Sequence, residues 1–106
     1  AILEVEGQTP DGFAMGEAYP NPFNPATTID FQIPAAGDGQ HAILRVYDIT
    51  GRVVTTLMND VVTAGNYQAG WDGTDAAGRA VASGGYLFEL RVGDVFAQTQ
   101  RVTLLK

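Results

Sequence analysis

The sequence predicts an all-β domain built from two antiparallel sheets packed face to face, and three observations carry that expectation. Apolar residues recur at period two in several separate stretches, the spacing of a half-buried strand. Nowhere does the 3.6-residue period of an amphipathic helix persist. Glycine is abundant, 13 in a chain of 106, and Gly with Asp or Asn punctuates the alternating runs, which favours short turns between strands. A chain of this length suits one domain with one core.

Taken in order, AILEVEGQ (1–8) sets Ile2 and Val5 among acids and reads either as a short edge strand or as the end of an upstream domain. TPDGFAMGEA (9–18) reads as turn and linker, so the folded unit is expected over 19–106. In YPNPFNPA, Pro20, Pro22 and Pro25 each remove a backbone donor and bias the preceding residue toward extended conformations. This excludes helix and central strand and predicts a stiff, polyproline-like lead-in. Asn21 and Asn24 can close turns through neighbouring backbone, and Phe23 offers an apolar anchor for one end of the sandwich.

TTIDFQI (27–33) alternates strictly, with Ile29, Phe31 and Ile33 on one face, and Pro34 ends it. After a turn at 35–40, HAILRVYD (41–48) places Ala42, Leu44 and Val46 on one face, and ITG leads into RVVTTLM (52–58) as a hairpin. AGNYQAGW (64–71) aligns Tyr67, Ala69 and Trp71, and GYLFELRV (85–92) aligns Tyr86, Phe88, Leu90 and Val92. A Gly-Asp link joins that run to VFAQTQRVTLL (95–105), the strongest hairpin signal in the chain. About seven strands at roughly a dozen residues each make an immunoglobulin-like β-sandwich the economical architecture. The disulfide and strand-C tryptophan of antibody domains are missing, so this likeness is architectural.

Charge and composition exclude several functions. Twelve acids against six bases give a net charge of -6, which repels a nucleic-acid backbone or an anionic membrane surface. Without cysteine there is no disulfide framework, no thiolate chemistry and no Cys-based zinc site. No apolar run approaches the ~20 residues of a membrane-spanning helix, and no signal-peptide pattern opens the sequence.

Catalytic inventory is thin. His41 is the only histidine and better suits a strand start than a nucleophile–base pair. Ser83 in ASGG lacks the G-x-S-x-G context, and the GDG and SGG stretches lack the pattern of a phosphate loop. The acid pairs Glu4 with Glu6 and Asp72 with Asp75 suggest glycoside hydrolysis only if a cleft separates them, which a small sandwich with short loops does not offer. Asp72 and Asp75 are also the candidate calcium ligands, in a glycine-bearing loop, but their spacing lacks the alternating oxygens of an EF-hand and fits Asp-Gly turn chemistry better. The expectation is a non-enzyme without a cofactor.

Two other readings compete. A carbohydrate-binding module would need an exposed aromatic platform, for which Tyr47, Tyr67, Trp71 and Tyr86 are the candidates; alternation assigns Tyr67 and Trp71 to the core. A structural spacer would need no site at all.

Four stretches then align with a known family in the family's order: YPNPFNPATTIDFQIP, LRVYDITGRVV, AGNYQAGWDGTDAAGRAVASGGYLFEL and the terminal RVTLLK. Together they resemble the C-terminal sorting domain of cargo of the type IX secretion system in Bacteroidetes-type bacteria, which is similar to the immunoglobulin-like domain of flagellar hook-capping proteins. Gly85 departs from it, standing where the family often has a bulkier residue. The resemblance implies a non-catalytic targeting module of a larger secreted protein, in the periplasm during transit and then at the cell surface or outside the cell. The partners it implies are the outer-membrane translocon, a sortase-like protease that in the family commonly removes the domain, with cleavage or retention of this one left open, the upstream cargo, and an anionic lipopolysaccharide to which cargo is joined. Its recognition residues would be Pro20, Asn21, Pro22, Asn24 and Pro25, then Gly51 and Arg52 in DITGR, then Arg101 and Lys106. For Gly51 and Arg52 a turn glycine and an edge-flanking arginine are the alternative reading. On this resemblance YPNPFNP marks where cargo linker ends and folded signal begins.

Overall fold

The computed structural model describes residues 2–5 and 12–106. Among them the alternating runs become strands β1 (Ile2–Val5), β2 (Ala14–Met15), β3 (Thr27–Ile33), β4 (His41–Asp48), β5 (Val53–Val61), β6 (Gly65–Trp71), β7 (Gly84–Val92) and β8 (Phe96–Leu104). They form two four-stranded antiparallel sheets, ordered β1-β6-β3-β2 and β5-β4-β7-β8. The expected all-β sandwich is the fold.

Period-two alternation decides which side chains meet between the sheets. Ile29, Phe31 and Ile33 of β3 join Ala42, Leu44 and Val46 of β4 and Phe88, Leu90 and Val92 of β7 in one buried apolar interior. Each large side chain there contributes about 1.5–3 kcal/mol by leaving water. The interior ends in an aromatic cluster: Trp71 meets Tyr86 and Phe88 edge-on at centroid distances of 5.1 and 5.9 Å, and Phe23 at 5.4 Å. Their polar tips are satisfied, since Trp71 Nε1 donates to the Thr74 carbonyl at 2.9 Å and the Tyr86 hydroxyl to the Ala82 carbonyl at 2.6 Å. Burial raises the Tyr86 phenol above its usual value, with the nearby Asp48 charge adding to it.

Three local expectations are corrected. Part of the stretch assigned to turn and linker belongs to the sandwich: β2 pairs with β3, Gly16 N–H donates to the Asp30 carbonyl at 2.8 Å, Met15 and Ala18 are buried, and Phe13 stacks on Phe96 at 4.9 Å. A two-residue strand is too short for alternation to reveal it. The segment around the prolines is not a polyproline rod, because bends at 20–22 separate the bridges at Tyr19 and Phe23 and further bends follow at 24–25. Lastly, β5 runs on to Val61, beyond the predicted end at 58, because its pairing with β4 continues through Val61 opposite His41. Residues 6–11, which include Glu6, lie outside the described residues, as does the Glu4 side chain.

β8 breaks the rule of apolar inward residues in an instructive way. Gln98 and Gln100 share the parity of buried Val102 and Leu104, and their amides donate to the Met15 carbonyl at 3.4 and 3.3 Å. β2 thus gains side-chain bonds from the opposite sheet, closing the seam where both sheets have an edge.

Candidate functional site

Backbone register gathers the predicted residues at one end of the sandwich. Tyr47 lies opposite Leu87 and Leu87 opposite Arg101, and one step on Asp48 lies opposite Tyr86 and Tyr86 opposite Val102. The turn carrying Gly51 and Arg52 follows Asp48 directly. Phe23 bridges Leu104, and Tyr19 bridges Thr28, so the proline motif spans this same end from one sheet to the other.

The motif acts as a strap. On the first sheet, Tyr19 exchanges both backbone hydrogen bonds with Thr28 at 2.8 Å. Its hydroxyl donates to the Asp30 carboxylate, at 3.1 and 3.0 Å to the two oxygens, and accepts from Gln68 Nε2 at 3.0 Å. The Asp30 hydrogen bond, ahead of desolvation, raises the Tyr19 phenol above its usual value. Pro20 presents its carbonyl to the buried Thr27 hydroxyl at 2.8 Å.

On the second sheet, Asn21 works as an artificial strand residue: its Oδ1 accepts from Thr103 N–H at 3.0 Å and its Nδ2 donates to the Arg101 carbonyl at 3.4 Å. Phe23 then donates its N–H to the Thr103 carbonyl at 2.9 Å and accepts from Leu105 N–H at 3.0 Å. An edge strand would otherwise leave these groups open to pairing with another chain. The Phe23 ring, 1% exposed, plugs the end of the core against Trp71. Pro22, Asn24 and Pro25 remain exposed, as do Arg101 and Lys106. Lys106 N–H donates to Ser83 Oγ at 3.0 Å, which gives Ser83 a structural partner.

Sequence reasoning overlooked a repeat. DITGR (48–52) and DAAGR (75–79) share the pattern D-x-x-G-R, and both fold into one turn design. Asp48 Oδ1 accepts from the N–H groups of Thr50 and Arg52 at 2.9 and 3.0 Å, and Asp75 Oδ1 from those of Ala77 and Arg79 at 2.9 and 3.0 Å. Gly51 and Gly78 occupy the left-handed region at φ 90 and 81 degrees, where a side chain would be strained. The turns lie together on a shallow groove with Val53, Val54 and Val81, and Ala76 N–H reaches the Val54 carbonyl at 3.1 Å. The identical five-residue spacing was the available signal.

Both carboxylates sit below their ordinary value of 3.8, Asp48 chiefly through the Thr50 hydroxyl and Asp75 chiefly through the Arg79 backbone N–H. A depressed folded-state value contributes stability that is present above the unfolded value and lost as pH falls through the folded one. The melting temperature is therefore expected to decline on acidification below about pH 4, and less steeply in the Asp48→Asn, Asp75→Asn double variant. Calorimetry of both proteins from pH 2 to 7 checks this.

As candidate metal ligands, Asp72 and Asp75 have other occupations. Asp72 Oδ1 accepts from the Thr74 hydroxyl at 2.5 Å, and Asp75 also faces the Arg79 guanidinium at 3.6 Å. No group of three or more His, Cys, Asp or Glu suited to a metal occurs among the described residues. Of the four candidate sugar-platform aromatics, Tyr67, Trp71 and Tyr86 are buried in the core, as alternation predicted for the first two, and Tyr47 is half-exposed. Among the described residues no helix is long and apolar enough to cross a membrane.

Several solved structures share this fold. PorZ of Porphyromonas gingivalis superposes with a TM-score of 0.56 at 24% identity, over 91% of this chain and 12% of PorZ. Latent PorU of the same organism gives 0.67 at 22% identity, over 95% of this chain and 10% of PorU. The sensor domain of the anti-sigma factor RsgI4 of Pseudobacteroides cellulosolvens gives 0.56 at 14% identity, over 89% of this chain and 93% of that domain. The chain therefore spans about a tenth of PorZ and of PorU. No curated protein matches it. The family described as the FlgD Ig-like domain matches residues 18–94, from the end of the strap's approach through the β7–β8 turn, and with most of the sandwich covered the chain belongs to that family.

Proposed function

We propose that this domain is a non-catalytic C-terminal sorting module of a larger secreted protein, recognised by the type IX translocon and used for surface attachment. The observation that carries the reading is convergence: the proline motif, the DITGR turn and residues 101–106, far apart in sequence, meet at one end of the sandwich. Structural support alone accounts for Asn21, Phe23 and Gly51 there, but leaves Pro22, Asn24, Pro25, Arg52, Arg101 and Lys106 exposed at the same end. The likeness to PorZ, an essential surface component of the type IX system, supports the same compartment. On this reading the module travels through the periplasm to the surface, where a sortase-like protease and an anionic lipopolysaccharide complete attachment. It needs no cofactor.

The test is to fuse residues 1–106 behind an inert periplasmic reporter in a type IX-competent bacterium and in a translocon-deficient strain. Translocon-dependent surface display is expected. Pro22→Ala with Asn24→Ala should lower display severalfold while leaving the melting temperature within a few degrees, because both side chains are exposed. Reporter held in the periplasm of both strains, with the domain folded, would refute the sorting role.

A further inference from the structure

We propose that the outward face of β4, β7 and β8 is a docking surface for an acidic protein partner, a role that shares Arg101 with the sorting reading but is read by direct binding rather than by export. Outward residues of these strands form cross-strand rows: Arg45 beside Glu89 and Thr99, and Tyr47 beside Leu87 and Arg101. Arg91, two residues from Glu89 on the same face, completes the set. Three arginines against one glutamate make this face positive in a chain whose total charge is -6. The single acid is engaged, accepting from the Tyr47 hydroxyl and from Arg91 Nε, both at 3.2 Å. Arg45 and Arg101 have no carboxylate within ion-pair distance among the described residues.

Gly85 explains how Arg101 is presented. A Cβ at Gly85 would stand 3.0 Å from Arg101 Nη2 and 3.3 Å from Ile49 Cγ2, so the missing side chain lets the guanidinium lie across the sheet beside an isoleucine that is 71% exposed. Here is a structural reason for the glycine that departs from the family pattern.

The composition selects a protein as occupant. Tyrosine and arginine around aliphatic Leu87 and Ile49, without lysine, is the make-up of protein interface centres. A polyanionic sugar would require only the charge. A second copy docking through this same face would set arginine against arginine, since a two-fold interface repeats one patch on itself. Positive charge here and negative charge elsewhere would orient an acidic partner before contact.

The experiment records amide NMR shifts of the labelled whole chain on adding a short peptide of alternating Glu and Leu, its Gln-for-Glu counterpart, or polygalacturonate. The acidic peptide is expected to shift Arg45, Tyr47, Leu87 and Arg101. Arg45→Gln with Arg101→Gln should weaken binding roughly tenfold, as should about 0.5 M salt. Gly85→Val, opposed by the flexible end of Arg101 and by the Cγ2 methyl of the exposed Ile49, should keep the fold while displacing Arg101 and weakening binding. Shifts scattered elsewhere, equal binding of the neutral peptide, or tighter binding of polygalacturonate at equal charge would overturn the proposal. So would self-association through this face by sedimentation.

Discussion

Replacing Phe23 with alanine is expected to destabilise the domain by about 3–5 kcal/mol, the cost of emptying an aromatic site in a packed core. The ring is 1% exposed and tilts against Trp71, so its removal forfeits both burial and an aromatic contact. Collapse into the space is resisted because the Phe23 backbone is held on both sides by Thr103 and Leu105. Against a typical total of roughly 5–15 kcal/mol, the melting temperature should fall by about 15 °C or more. Denaturant titration beside Phe23→Leu measures it: a loss under about 1 kcal/mol for alanine would mean that the ring does not seal the core.

Ending the chain after Gln100 should have a larger effect and leave the domain unfolded. Val102 is fully buried and Leu104 is 2% exposed, so the truncation removes two core side chains together with every β8 partner of the strap. The loss exceeds about 5 kcal/mol from burial and cavity alone. Circular dichroism and gel filtration of the truncated chain would show this directly, and a folded product would contradict the assignment of β8 to the core. Export assays that delete residues 101–106 therefore remove the proposed signal and the fold together. Arg101→Gln and Lys106→Gln separate the two, since both side chains are exposed.

Alternation made β3, β4, β6 and β7 legible in the sequence, because one face of each is filled by apolar residues that period two brings together. β5 was harder to delimit: it lies at a sheet edge, pairs with two register shifts, and buries little beyond Met58. β2 left almost no pattern in two residues. In the site, prolines correctly excluded helix and central strand from 19–26, but a chain that bends to bridge two partners cannot be told from an extended one by missing donors alone. Asn21 was readable as a turn former and proved to bond a strand 80 residues away, a partnership that no local spacing encodes.

That long-range bond has a temporal consequence. Asn21 is made 80 residues ahead of its partner Arg101, and Phe23 likewise precedes Thr103 and Leu105, so the seal cannot form until translation has passed Leu105. Closing so distant a pair carries a loop-closure penalty that nearer hairpins avoid. A finished seal at this end of the sandwich therefore requires that everything between the strap and β8 has been made. Any receptor touching both at once would read completeness as well as identity.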